Sequence, residues 1–294
     1  MDFFMENHFY FFYNHFVLYL SHMTGIFLIL LFSASILAVI GFYGLDLFWY
    51  FKTIKYGKEY YFEKKHTKVY YSGEEEQYIL QIFPGYSKFS REQQLKIQYR
   101  IMQFCQTYRV YPKHNVPFES RDILLIATSY VKLTLGYRTF LAKSMKYILV
   151  YPDAFYFQPE NAYHKGHFNP KEKVVALSWK DFLQDYIAAT DGRNIALHEF
   201  SHALMYYMLL PKNGSNSSAL FKHYYAEIKN WLLQSNHKTL LQQSGFVRPY
   251  AFTNSYEFIA VIIELYFEQP NRFKEWFPSL FILVEKMLGQ HKMN

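Results

Sequence analysis

The strongest constraint on this chain is an absence of charge: no Asp, Glu, Lys or Arg occurs from Asn7 to Leu45. Within that span Gly25 to Phe32 and Ile36 to Ile40 are wholly or almost wholly apolar. A bilayer core takes about 20 consecutive apolar residues as a helix, and a helix that is apolar all round must be buried somewhere. Tyr43, Trp49 and Tyr50 close the stretch, where amphipathic rings favour the headgroup level. A cleaved signal peptide would open with positive charge and carry a shorter apolar core. This chain opens with Asp2 and Glu6 and has no clear small-residue cleavage site. The expectation is therefore an uncleaved, single-pass anchor over residues 1–51, with a transmembrane helix at about 24–45. The aromatic run Phe9 to Leu20 fits either the interface or an extension of a tilted helix.

The flanks suggest orientation. Lys52, Lys55, Lys58, Lys64, Lys65 and Lys68 follow the anchor, and no Lys or Arg precedes it. Positive charge stays on the cytoplasmic side, so the main domain is expected in the cytoplasm. Residues 52–78 read as a basic juxtamembrane linker whose acidic run, Glu74 to Glu76, is solvated surface. The net charge of +7 comes from thinly spread lysines with no arginine block, so nucleic acid is not an expected partner. The single cysteine, Cys105, excludes an internal disulfide and a Cys-based zinc site.

Residues 79–294 read as one α+β domain. Glu92 to Tyr108 and Arg121 to Leu135 carry apolar residues at helical spacing. Lys146 to Tyr151 and Val174 to Trp179 are short, β-branched strand candidates. Asp191 to Asn194 is a turn, and Asn194 suits an N-cap for a helix over Ile195 to Leu210. Further helices are expected near 219–233, 255–268 and 276–289. His164 and His167 are assigned to a loop.

The chemistry lies in His198-Glu199-Phe200-Ser201-His202. Residues four apart share a helix face, so both imidazoles can address one ion. Zinc suits neutral imidazole and takes three protein ligands plus water in catalytic sites. Glu199, one residue past the first ligand, can take a proton from water activated by the metal and pass it to a leaving amine. A third ligand must come from elsewhere. Glu257, Glu264 and Glu268 share one face of an otherwise apolar helix, a costly placement that a metal or a hydrogen-bond network would justify. Glu268, near the helix end, is expected to meet solvent.

These segments resemble the zinc-dependent peptidases of the Mlc titration factor A type, which are similar around the active site to the anthrax lethal factor catalytic domain. Arg121 to Ala127 with Leu135-Gly136, Ile148 to Pro152, Leu177-Ser178-Trp179, the His198 to His202 motif, and Asn254 through Pro270 match family segments in order, over roughly residues 84–290. The resemblance implies a zincin-like domain with zinc on His198, His202 and Glu257, and Tyr250 as an oxyanion donor. It departs at Met205, where the family usually has an Asp after Leu, and in the anchor, since well-known members are soluble. The family's transcriptional-repressor partner is not assumed for this chain.

The reading is a membrane-anchored zinc peptidase acting on peptide or protein, with the lipid bilayer as its other partner. The competing reading is a zinc-stabilised regulatory module with vestigial activity. Glu199 favours catalysis, because a purely structural site has no use for a carboxylate there. In the enzyme reading, the strand Val174 to Trp179 offers an edge to an extended peptide.

Overall fold

The computed structural model describes residues 2–57, 68–188, 192–234 and 236–290. Lys58, Lys64, Lys65 and Asp191, used in the sequence reading, lie outside them. The chain divides into two units, Met1–Phe51 and Lys52–Asn294.

The first unit is one helix, which continues into the second as α1, Asp2–Tyr56. Its portion His22–Tyr56 is long and apolar enough to cross a membrane, with a mean hydropathy of 2.6 and none of that window buried within the protein. Phe27, Leu28, Phe32, Leu37 and Phe42 are all exposed.

The second unit is rich in helix. Its elements in order are α2 (Glu74–Ile82), α3 (Arg91–Thr107), β1 (Arg109–Pro112), α4 (Asp122–Thr134), β2 (Tyr147–Tyr151), β3 (Phe155–Phe157), β4 (Ala162–His164), β5 (Gly166–Asn169) and β6 (Val174–Ser178). They continue as α5 (Trp179–Ile187), α6 (Ile195–Leu209), α7 (Asn216–Leu233), α8 (His237–Ser244), α9 (Ser255–Glu268), α10 (Pro270–Trp276) and α11 (Pro278–Met287). The run Glu74 to Glu76 is thus the first turn of α2, where negative charge favours the helix dipole. Beyond it Ile79 and Ile82 are buried in the core, inside the segment that the sequence suggested was a linker and the start of the domain.

The main sheet has the order β1-β2-β6-β5. The first three strands are parallel, and β5 runs antiparallel to β6 along one edge. Strand β6 is therefore hydrogen-bonded on both sides. The sequence reading gave the edge to Val174–Trp179; it belongs to β5. Ile148, Val150, Val175 and Leu177 alternate onto one face and are fully buried, as period-two side chains facing a helical layer should be. Strands β3 and β4 form a separate hairpin.

Local chemistry fixes the helices. Ser90 and Gln93 form a capping box at α3. Arg100, 3% exposed, donates to the carbonyls of Thr134 at 2.7 Å and Tyr137 at 2.6 Å. It thereby satisfies carbonyls that the end of α4 would leave buried without partners. Gly136 follows because a Cβ there would lie 2.2 Å from the backbone oxygen of Leu288. Only a residue without a side chain lets the two segments approach so closely.

Candidate active site

Helix α6 enters the core behind its cap. Asn194 is extended, and its Oδ1 accepts from the amide of Leu197 at 3.0 Å. The helix then buries Ala196, Leu197, Phe200, Ala203, Leu204 and Met208. Each large apolar side chain so buried contributes about 1.5–3 kcal/mol. Phe200 sits edge-on to Phe104 and Tyr130. This packing fixes the rotation of α6, and spacing by four then stacks His198 and His202 on one face, with ring centroids 4.7 Å apart.

Helix α9 supplies the facing carboxylate. Its N-cap Asn254 accepts from the amides of Tyr256 at 2.9 Å and Glu257 at 3.0 Å, which sets Glu257 in the first turn. Glu257 lies 3.1 Å from His198 Nε2 and 3.4 Å from His202 Nε2, and the two Nε2 atoms are 3.1 Å apart. A tetrahedral ion with ligand distances of about 2.0–2.1 Å separates its donors by about 3.3 Å. The three contacts bracket that separation, so this set fits a zinc-sized ion. Among the described residues, these three form the cluster able to hold a metal. His164 and His167 are not in it; they lie on β4 and β5 rather than in a loop.

The other nitrogen of His198 is held too. Its Nδ1 is 2.6 Å from Glu264 Oε1. Glu264 is 1% exposed, and Arg248 clasps it at 2.5 Å and 3.2 Å while the amide of Asn194 donates at 2.9 Å. A carboxylate on Nδ1 keeps the proton there and aims the Nε2 lone pair at the centre. The sequence reading marked Glu264 only as one of three acids on a face, and missed Arg248 altogether. The signal for Glu264 was its spacing of seven from Glu257 on an apolar helix. Arg248 gave none, because its partner lies 16 residues away across a turn. Glu268 does not meet solvent as expected. It is 5% exposed, accepts from Asn194 Nδ2 at 3.2 Å and lies 3.9 Å from Lys132.

Glu199 is buried against β5. A Cβ on Gly166 would come within 2.7 Å of Glu199 Oε1, so the bare strand backbone runs directly beside that carboxylate. Tyr250, on a short 3₁₀ turn over Pro249–Phe252, places its ring 6.4 Å from that of His198 and remains half exposed. The structure thus brings together all five residues singled out from the sequence.

Electrostatics reflect the crowding of carboxylates. Burial alone would lower His198, but its hydrogen bonds to Glu257 and Glu264 prevail and raise it to about 10. Burial would raise Glu257, and the two histidines instead hold it well below the usual carboxylate range. Burial pushes Glu199 up, partly offset by both histidines. Burial, followed by the charge of Glu257, pushes the Tyr250 hydroxyl up to about 12. Such a field holds a positive charge at its centre, as a proton on His198 or as a metal cation.

The model of a metallo-peptidase family, glucose-regulated metallo-peptidase M90, matches residues 59–288. The chain is also 25% identical over 225 residues to the uncharacterized protein slr2042 of Synechocystis sp., covering 69% of this chain and 78% of that protein. It is 22% identical over 229 residues to Mlc titration factor A of Escherichia fergusonii, covering 71% and 84% respectively.

Proposed function

Since the chain belongs to the glucose-regulated metallo-peptidase M90 family, we propose that it is a membrane-anchored zinc peptidase with His198, His202 and Glu257 as metal ligands. The observation that carries this reading is the convergence of those three donors at 3.1–3.4 Å, with Glu199 on the same helix. Zinc held there supplies Lewis acidity and lowers the pKa of a water it carries. Glu199 is the general base: it takes the proton of the attacking water and returns it to the leaving amine. Tyr250 donates its phenol proton in a hydrogen bond to the oxyanion. Glu264 and Arg248 keep His198 in the tautomer that ligation needs.

The edge of β5 holds the substrate. Lys165 accepts from the amide of Ser178 at 2.7 Å, which sets the phase of the ladder. In an antiparallel pair the residues on either side of such a pair turn their main-chain groups outward, so Gly166 and Phe168 offer theirs to an extended peptide beside Glu199. A helix bearing the metal motif beneath a sheet with a free antiparallel edge supports a zincin-like domain.

Residues 1–51 form the anchor, and the peptidase domain lies on the cytoplasmic side; the expected linker 52–78 is in part built into that domain, since Ile54, Tyr71 and Tyr78 pack against its core. A reporter at the C-terminus that is active only across the membrane would refute this topology. The enzymatic test uses the full chain in detergent, because a fragment starting at residue 79 would cut through α2. Glu199→Gln should retain zinc and lose cleavage of a mixed peptide library, whereas the wild type cleaves it. Equal cleavage by both would sink the mechanism. No cleavage by either, with zinc bound, would favour the regulatory reading.

A further inference from the structure

Helix α6 is buried on almost every side. Of its 15 residues, 11 are buried; Ile195, His202 and Leu209 are half-buried, and Tyr206 alone is exposed. These four are spaced by seven, four and three, which puts them on one stripe of the helix. At 1.5 Å per residue the stripe is about 21 Å long. It is the line along which solvent reaches α6, and His202 of the metal cluster lies on it. Tyr206 is the next residue of the stripe, one turn past His202.

Strand β5 borders the same stripe. A Cβ on Gly166 would meet Glu199 and Ile195. Two residues on, Phe168 stands edge-on to Tyr206, with ring centroids 6.0 Å apart and planes at 66°. Strand and helix therefore run side by side in one direction, from Gly166 at Glu199 to Phe168 at Tyr206. Phe168 packs against the core, which fixes its ring. Tyr206 is 43% exposed and presents ring surface to solvent. A single exposed aromatic on an open surface needs no explanation. This one is the sole exposed residue of a buried helix, at the opening beside the metal cluster.

We propose that Phe168 and Tyr206 form the subsite that selects the substrate, taking an aromatic or large aliphatic side chain of the peptide. The proposal rests on the peptidase reading for the path of the peptide along β5. Side chains two apart in a strand share a face. A peptide paired with β5 whose one residue lies opposite Gly166, beside Glu199, thus sets its next side chain on that face against Phe168 and over Tyr206. Gly166 leaves room at the first of these positions, and the two rings receive a large group at the second. An apolar side chain there covers ring surface that water otherwise wets. A carboxylate or ammonium would lose water against two rings, neither of which carries an opposite charge.

The test is equilibrium dialysis of labelled alanine heptapeptides against the full chain in detergent, loaded with zinc and carrying Glu199→Gln, so that no turnover is needed. The central residue is alanine, phenylalanine, leucine, aspartate, lysine or arginine. The phenylalanine and leucine peptides should bind about tenfold or more tighter than the alanine peptide. That gain should vanish when Tyr206→Ala is added, a change at an exposed position that costs little stability, and persist with Tyr206→Phe. With Glu199 intact, the cut should fall at one fixed bond relative to the phenylalanine. Equal affinity for all six peptides, tightest binding by a charged peptide (arginine can stack on rings), or a phenylalanine gain that survives Tyr206→Ala would overturn the subsite. Cleavage without the preference would refute the subsite and leave the peptidase reading standing. The Tyr206-dependent preference without cleavage would support the subsite and count against the peptidase reading.

Discussion

Gly166→Ala adds one methyl group where strand β5 lies against the metal-bearing helix. The new Cβ would sit 2.7 Å from Glu199 Cγ, from Glu199 Oε1 and from Ile195 Cδ1, where ordinary contact begins at 3.4 Å. An overlap of about 0.7 Å therefore falls on two side chains of α6 at once. Strand β5 is hydrogen-bonded to β6 and cannot retreat without breaking the ladder. Helix α6 is held by α4, α7 and α9. The part most free to move is the carboxylate of Glu199. Overpacking a buried site costs about 1–3 kcal/mol. For a domain of this size each kcal/mol lowers Tm by about 2–4 °C, so a fall of about 2–12 °C is expected. Misplacing a reacting group by about 1 Å costs about 100-fold in rate. The three atoms nearest the methyl group belong to Glu199 and Ile195 and to none of the metal ligands, so zinc should stay. The assay pairs kcat/KM on a cleaved peptide with zinc stoichiometry and a melting curve. A fall of about 100-fold in activity, full zinc and a modest drop in Tm is the expected signature. Wild-type turnover in a folded variant would show that Glu199 does not act from where it stands. Loss of zinc would show that the strain runs into the ligands instead.

Arg248→Met removes the clasp on Glu264 and leaves a nearly fully buried carboxylate. It should cost about 1–3 kcal/mol and weaken zinc binding about 10–100-fold, read by competition with a chelating dye; an unchanged zinc Kd would remove Arg248 from the site. Glu257→Ala should lose stoichiometric zinc with little change in far-UV circular dichroism, and elemental analysis checks it. Arg100→Met strands the carbonyls of Thr134 and Tyr137 and should destabilise the domain by about 2–4 kcal/mol while zinc affinity holds; thermal melts beside zinc titrations separate the two.

Where the controlling interactions are local, the sequence was a good guide. Asn194 caps α6, and Ile195 to Leu209 form the helix, because a cap and an apolar run lie within a few residues of each other. Strands β2 and β6 stand out through β-branched runs. What escaped was set by distant partners. Arg109–Pro112 becomes β1 only by pairing with β2, and a four-residue strand ending in proline has little signal of its own. His164 and His167 read as a loop, yet Gly166–Asn169 pairs with β6 and takes the edge from it. The helix expected at 276–289 is α11, which starts at Pro278, where a missing N–H costs nothing; the short α10, Pro270–Trp276, was not expected. Arg248 acquires meaning only through Glu264.

The acids of α9 show why the site was legible at all. A helix with Phe258, Ile259, Val261, Ile262 and Ile263 buried gains stability from every apolar residue it carries. Acids at 257, 264 and 268 in such a setting are costly unless each has a designated partner. Each has one: Glu257 faces two imidazoles, Glu264 holds His198 and Arg248, and Glu268 meets Asn194 and Lys132. The resemblance led one to look for an acid at position 205 of α6. Met205 is fully buried there, and the carboxylate that orients a histidine comes from the neighbouring helix instead. The support for the proposed metal site therefore rests on the packing of α6 against α9. A substitution that slid one helix along the other by a single turn, about 5.4 Å, would dismantle the ligand set, the tautomer control and the cap of α6 together.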